Sequence, residues 1–190
     1  MSCITEIING VEKDCASINA AIGSDKDLIL VNYADFDKAL TLAVENREID
    51  DTNSNIEGLT SIILKTGALQ YLYEGTDYSI VPTVTPEIKE DGDIWYTHQI
   101  VFTAYSKLAK DRKTLEDLDG SKVIAITKER STGLYELFGM DQGLIVSSIS
   151  REYIGAQKSN FYEVTLSTPE VGIIKESTLA ELALNIVVTV

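Results

Sequence analysis

One alternating segment, Ile94–Tyr105, constrains the fold more than any other part of the sequence. Its side chains fall into two interleaved sets, and a period of two residues is that of a β-strand rather than a helix. One set is Ile94, Tyr96, His98, Ile100, Phe102 and Ala104, and the other is Trp95, Thr97, Gln99, Val101, Thr103 and Tyr105. Because both sets contain aromatic residues, we expect protein to cover both faces of this strand.

Eight further short segments, rich in β-branched and aromatic residues and separated by turn residues, also predict strands. They are 27–33, 59–66, 69–73, 79–90, 122–127, 134–138, 144–150 and 161–167. One helix is predicted over 106–118, before Gly120, because Leu108, Leu115 and Leu118 recur at helical spacing. So few helices cannot cover a parallel sheet. The pattern predicts a mainly β fold, an antiparallel β-sandwich or barrel with one or two short helices.

Turn residues and prolines predict how some of these strands are arranged. The residues Thr66, Gly67 and Ala68 predict a hairpin between 59–66 and 69–73. Pro82 and Pro86 place the segment 79–90 at a sheet edge, because proline has no amide to donate to a ladder.

The chain of 190 residues fits a single domain with terminal extensions. Residues 1–24, rich in small and polar types, predict an N-terminal arm. Residues 25–176 predict the sandwich or barrel, interrupted by a long polar loop at 45–58. Residues 177–190 predict a C-terminal helix/strand extension, where a helical pattern over 177–184 precedes a β-branched stretch at 186–190 that predicts a strand.

The charge balance excludes several classes of partner. Thirty acidic residues oppose sixteen basic ones, for a formal net charge of −14. This argues against nucleic-acid binding through phosphates and against anionic membranes. Apolar runs are far shorter than the roughly 18 residues of a membrane span, and the N-terminus lacks the pattern of a signal peptide. The two cysteines, Cys3 and Cys15, are therefore expected to be reduced thiols, and their spacing does not support a zinc site.

No catalytic motif stands out in the sequence. His98 is the single histidine, so every triad or metal site that needs two is excluded, and we expect it to be a core or wall residue. The acidic pairs Asp25/Asp27 and Asp91/Asp93 lack the frame of a calcium loop. The glycines within 133–144 predict positive φ angles, with phosphate cradling as the alternative. We predict no catalytic, cofactor-binding or metal site and no cofactor; a glycosidase-type carboxylate pair stays open.

Three blocks of sequence resemble virion structural proteins of tailed bacteriophages, in the tail tube class. The first comprises MSCITEIINGVEKDC at 1–15 and LVNYADFD at 30–37. The second comprises KVIAITKE at 122–129 and YELFGMDQGL at 135–144. The third is FYEVTLST at 161–168.

The resemblance implies a non-enzymatic subunit that self-assembles into stacked, hexameric rings. Terminal arms and loops would contact neighbouring rings and other tail or neck proteins, and DNA would pass through the lumen without specific binding. The protein would then belong to the virion tail, after assembly in the cytoplasm of the bacterial host. Two alternatives stay open: a head–tail connector, decoration or baseplate component, and a small acidic carbohydrate-binding or enzymatic β domain.

Overall fold

The computed structural model describes residues 24–50, 55–76, 79–88, 92–105, 109–130, 132–151, 153–154, 157–158, 161–169, 176 and 180–189. The described strands are β1 (Ser24–Asn32), β2 (Arg47–Asp50), β3 (Asn55–Leu64), β4 (Gln70–Glu74), β5 (Ile80–Ile88), β6 (Ile94–Tyr105), β7 (Val123–Glu129), β8 (Tyr135–Phe138), β9 (Ile145–Ser150), β10 (Tyr153–Ile154), β11 (Gln157–Lys158), β12 (Phe161–Ser167) and β13 (Glu181–Val188). The helices are α1 (Lys38–Thr41) and α2 (Ala109–Asp119), with single 3-10 turns at Tyr33–Asp35 and Val44–Asn46. No helix of the described residues is long and apolar enough to cross a bilayer.

Two principal sheets form the fold. The larger has the order β2-β3-β13-β8-β7-β1-β4, the smaller has the order β5-β6-β12-β9, and β10 and β11 form a two-residue ladder. All neighbours are antiparallel except β3 and β13, which run parallel. The predicted mainly β sandwich with few helices is confirmed. The edge position predicted for the segment with Pro82 and Pro86 is also confirmed, because β5 is the first strand of the smaller sheet.

The space between the sheets holds the first hydrophobic core. Leu28 and Leu30 of β1 and Ala125 of β7 meet Ile100 and Phe102 of β6 in this core. Leu115 and Leu118 of α2 join the same cluster and are buried, which accounts for the helical spacing of the leucines. Each fully buried side chain of this size stabilises the fold by roughly 1.5–3 kcal/mol.

The other face of the larger sheet holds a second core. Val31, Ile124 and Ile126 alternate in sequence with residues of the first core and therefore point to the opposite face. The sheet curls around this second core: Phe36, just after β1, forms an antiparallel bridge with Leu64 at the end of β3. The central strands β1 and β7 are thus covered on both faces, which explains their nearly continuous apolar sequences.

The expected hairpin between the third and fourth strands is wrong. A turn does form at Thr66 and Gly67, where Gly67 has φ 82° and the Ala68 amide donates to the Lys65 carbonyl at 3.0 Å. However, β3 pairs with β2 and β13, whereas β4 pairs with β1. The curl of the sheet lets a short turn connect strands that are not neighbours.

The prediction of a long polar loop at 45–58 is also wrong for the residues of that range that the structure describes. The strands β2 and β3 pair antiparallel, with a register shift between Glu48 and Ile49. The Asn46 side-chain amide donates to the carbonyls of Thr41 at 2.7 Å and Ser61 at 2.6 Å, and the Ser61 hydroxyl donates back to Asn46 at 2.8 Å. These bonds satisfy the side chain of Asn46, one of the polar residues that suggested a loop. Residues 51–54 lie outside the described residues.

The described part of the C-terminal helix/strand extension predicted at 177–190 is one interior strand: the strand prediction is confirmed at 186–188, whereas the helical prediction is wrong at 181–184 and the segment is not peripheral. β13 lies between β3 and β8, and Ala183 is buried in the second core. The helical pattern over its first residues is overridden because this stretch completes the sheet. At the other end, Ser24 already belongs to β1, while the arm predicted for 1–24 otherwise lies outside the described residues.

Candidate functional site

The turn from Gly139 to Gly143, between β8 and β9, is held by hydrogen bonds and an ion pair from three other segments of the chain. Gly139 and Gly143 have φ of 77° and 73°, and the Gly143 amide donates to the Gly139 carbonyl at 2.7 Å. A Cβ at Gly139 would lie 2.8 Å from the Leu144 Cγ, and one at Gly143 would lie 2.8 Å from the Lys122 Cγ. Both positions therefore require glycine, as the sequence predicted.

The carboxylate of Glu176 holds this turn from within. Glu176 has no exposed surface, and its two oxygens accept the amides of Asp141 and Gln142, each at 2.8 Å. Its main-chain carbonyl accepts the Tyr96 amide at 2.9 Å, which joins it to β6. Burial raises the pKa of Glu176, against the opposing effect of the two amide bonds.

Two side chains from the segment after β1 hold the outer side of the turn. The Tyr33 hydroxyl donates to the Asp141 carbonyl at 2.6 Å, and the Lys38 ammonium forms an ion pair with the Asp141 carboxylate. The Asp141 side chain is 7% exposed and that of Lys38 is 43% exposed, so the pair closes the junction toward solvent. Burial raises the pKa of Tyr33, and Lys38 acts in the opposite direction.

His98 fastens the turn to the smaller sheet. It is 1% exposed, its Nδ1 accepts the Gly139 amide at 3.2 Å, and its ring meets Phe138 edge-on. In this bond Nδ1 is the acceptor, so any donated hydrogen bond of the ring comes from Nε2. The prediction that His98 is a core or wall residue is confirmed.

The hydrogen bonds of the turn leave no cradle for a phosphate. The amides of Gly139, Asp141, Gln142 and Gly143 donate to His98, to Glu176 and to the turn itself. The phosphate-cradling alternative is wrong for this conformation because Glu176 occupies the anion position. The sequence did not reveal this role of Glu176, since the residue is separated from the turn by β9 to β12 and carries no motif.

The described residues contain no cluster of three His, Cys, Asp or Glu side chains able to hold a metal ion. Asp27 lies in β1, whereas Asp91, Cys3 and Cys15 are outside the described residues.

A cavity of about 290 Å³ lies between β1, β4 and α2. Tyr71 and Tyr73 of β4 line one side, and Asp117 and Ser121 line another. The Asp117 carboxylate pairs with Lys113 at 2.8 Å, and the Ser121 hydroxyl donates to the Asp117 carbonyl at 2.7 Å. The cavity thus lacks a buried acid–base pair, and the volume is near the lower limit for small-molecule sites.

The outer face of the smaller sheet is an extended polar surface. It carries Thr83, Thr85 and Glu87 of β5, Thr97, Gln99 and Thr103 of β6, and Glu163, Thr165 and Ser167 of β12, interspersed with Val81, Trp95, Val101 and Phe161. Within the chain, the expectation that protein covers both faces of β6 holds fully for one face only, because the β6 side chains on this outer face are partly buried and lie outside both cores.

The charged side chains on the strands of the smaller sheet are all negative. Its four strands contain two carboxylates, Glu87 and Glu163, and no lysine or arginine. Glu87 accepts the Thr97 hydroxyl at 2.7 Å across the β5–β6 ladder. The register also aligns Thr83, Gln99 and Ser167 in one row across three strands. The result is a surface of hydroxyls and amides with negative charge, called here the polar face.

Comparison with known proteins identifies no relative: no family model, no curated protein and no solved structure matches this chain.

Proposed function

We propose that the chain is a structural subunit of a phage virion, of the tail tube class, which assembles into stacked hexameric rings with the polar face toward the lumen. The observation that carries the proposal is the absence of basic residues from the strands of that face, together with its row of hydroxyl and amide side chains. DNA binds proteins mainly through phosphate contacts with lysine and arginine. A lumen without them lets DNA pass without being held.

The net charge of −14 and the sequence resemblance support the same proposal. The β8–β9 turn also fits a structural role, because Glu176, His98 and Lys38 join it to segments distant in sequence and the amides of Gly139, Asp141 and Gln142 already have acceptors within the chain. In this proposal the protein is not an enzyme and needs no cofactor. Residues 1–24 would contact the next ring or a neck protein.

Electron microscopy with light scattering on the full chain, over a concentration series, tests the assembly. We expect rings and tubes that enclose a central channel. A protein that stays below ring size at every concentration and salt would contradict the proposal. Copy number in virions separates a tube protein from a connector, decoration or baseplate component, because a tube uses many more copies.

Lysines added to two different surfaces test which face lines the lumen. The double variant Gln99→Lys/Thr165→Lys adds two lysines to the polar face, and Leu40→Lys/Val44→Lys adds two at exposed positions near α1. We expect assembled polar-face variant to retain short duplex DNA at low salt, and the matched control to retain as little as wild type. Equal retention by both variants would contradict the lumen assignment.

The cavity beside Tyr71 and Tyr73 is the observation that favours a carbohydrate-binding domain as the second candidate. Tyrosine rings suit the apolar faces of sugars, and their hydroxyls suit polar edges. A thermal-shift screen across sugars and divalent cations tests this function. Stabilisation that disappears in Tyr71→Ala would favour it over the tube subunit, whereas no stabilisation by any ligand would reject it.

A further inference from the structure

Strand β4 differs from the other sheet edges in its lack of protection against pairing. Natural edge strands avoid association through prolines, bulges or lysines. β5 carries Pro82 and Pro86, and the ladders of β2 and β9 each contain a register shift. β4 pairs with β1 in continuous register, contains none of these devices, and has no second strand beside it in the described structure.

Two apolar or aromatic side chains of β4, and one just before it, are also unusually exposed for their type, whereas Tyr73 packs edge-on against Phe102 of the first core. Leu72 is 54% exposed and Tyr71 is 43% exposed, and Leu69, which precedes the strand, is 60% exposed. An open backbone edge that carries exposed apolar side chains is a template for another strand.

The sequence of β4 fits itself. Read as Gln70, Tyr71, Leu72, Tyr73 and Glu74, it is nearly the same in both directions. In an antiparallel pair centred on Leu72, each Leu72 faces its equivalent, each Tyr71 faces a Tyr73, and each Gln70 faces a Glu74. Aromatic pairs directly opposite one another stabilise antiparallel ladders, and no like charges are opposed in this register.

We propose that β4 is a two-fold interface, through which a second copy of this chain pairs edge to edge and joins the two larger sheets into one. The contact is isologous, so it closes at two copies and cannot extend a tube. The β4 dimer would therefore be a state of the free protein before ring assembly. The proposal of this dimer does not rest on the proposed function. Five residues per strand make a small interface, so the dimer is weak and concentration-dependent.

Sedimentation velocity from about 1 µM to about 1 mM, at about 50 mM salt where charge repulsion keeps ring assembly weakest, tests the dimer. We expect wild type to shift from monomer to dimer, and Leu72→Lys to stay monomeric because two lysines then face each other across the axis. Val81→Lys, at a similarly exposed position on the proline-protected β5, is the matched control and should dimerise like wild type. Circular dichroism and thermal unfolding verify that each variant is folded.

A charge pair tests the register directly. Leu72→Glu should also be monomeric alone, whereas an equimolar mixture of Leu72→Lys and Leu72→Glu should form a heterodimer that high salt weakens. Only an interface that brings the two copies of residue 72 together gives this rescue.

Three outcomes would overturn the proposal: wild type that is monomeric over the whole range, a Leu72→Lys dimer as strong as wild type, or a mixture that fails to associate. Loss of the dimer with rings still forming leaves the proposed function standing, and a dimer without rings leaves only the β4 interface standing. The two proposals therefore fail separately.

Discussion

At the scale of single residues, the glycines of the β8–β9 turn have the least freedom. Gly139 combines a positive φ with a neighbour only 2.8 Å from where a Cβ would lie. At two other glycines of the described structure, backbone strain at positive φ and steric overlap of a Cβ do not occur together. Gly92 has φ of 88° with open space around it, and Gly120 has neither a positive φ nor a near neighbour.

Alanine substitutions at these three glycines should therefore form a graded series. We expect Gly139→Ala to lower the free energy of unfolding by about 3 kcal/mol, from backbone strain and overpacking together. Gly92→Ala should cost about 1 kcal/mol from backbone strain alone. Gly120→Ala should change stability by less than about 0.5 kcal/mol. Urea unfolding measures the series, and equal losses at Gly139 and Gly92 would contradict the packing argument.

Glu136 gives a pH-dependent prediction. Burial, and then the nearby Glu129 carboxylate, raise the pKa of Glu136 in the folded state, so ionisation of this group disfavours folding. We expect Glu136→Gln to stabilise the protein at neutral pH by up to about 1 kcal/mol, since solvent screens part of the penalty. Between the two pKa values of Glu136, the folded state binds a proton that the unfolded state has lost. The stability gain of Glu136→Gln therefore shrinks as pH falls through the raised pKa of the folded state, and it vanishes below the pKa of the unfolded state.

Urea unfolding of wild type and Glu136→Gln from pH 7 to pH 4 measures this gain. A gain that is unchanged at low pH would show that charge is not its cause.

At the scale of elements, local pattern predicted strands better than it predicted their partners. β6 and β12 have the predicted bounds, because their alternation matches one buried and one exposed face. The predicted hairpin failed because β3 and β4 join opposite parts of a curled sheet, which local turn chemistry does not report. Glu176 could not be assigned to the turn because its partners are backbone amides 34 and 35 residues away.

The position of β13 predicts that its loss abolishes folding. It pairs with β3 on one side and β8 on the other, so deletion of 181–190 opens the middle of the larger sheet. We expect the deleted protein to lack cooperative thermal unfolding, as measured by circular dichroism. Deletion of 1–23 removes no described strand and should keep cooperative unfolding while weakening ring stacking. Equal effects of the two deletions on folding would contradict both assignments.

At the scale of the whole molecule, charge opposes association. Subunits that each carry a formal net charge of −14 repel one another, and salt screens that repulsion over roughly 8–10 Å near physiological ionic strength. We expect ring assembly, followed by light scattering, to become stronger as salt rises from about 50 mM to about 500 mM. Weaker assembly at high salt would instead indicate that attractive ion pairs dominate the subunit contacts.

The place of β13 in the sheet also sets an order of events during synthesis. All four strands of the smaller sheet have been made once residue 167 is translated, whereas β3 and β8 must wait for the strand that lies between them. Until then their open edges are exposed to other nascent chains, which is the situation in which aggregation competes with folding. Completion of the larger sheet therefore waits for β13, and the second core cannot close until that strand has left the ribosome.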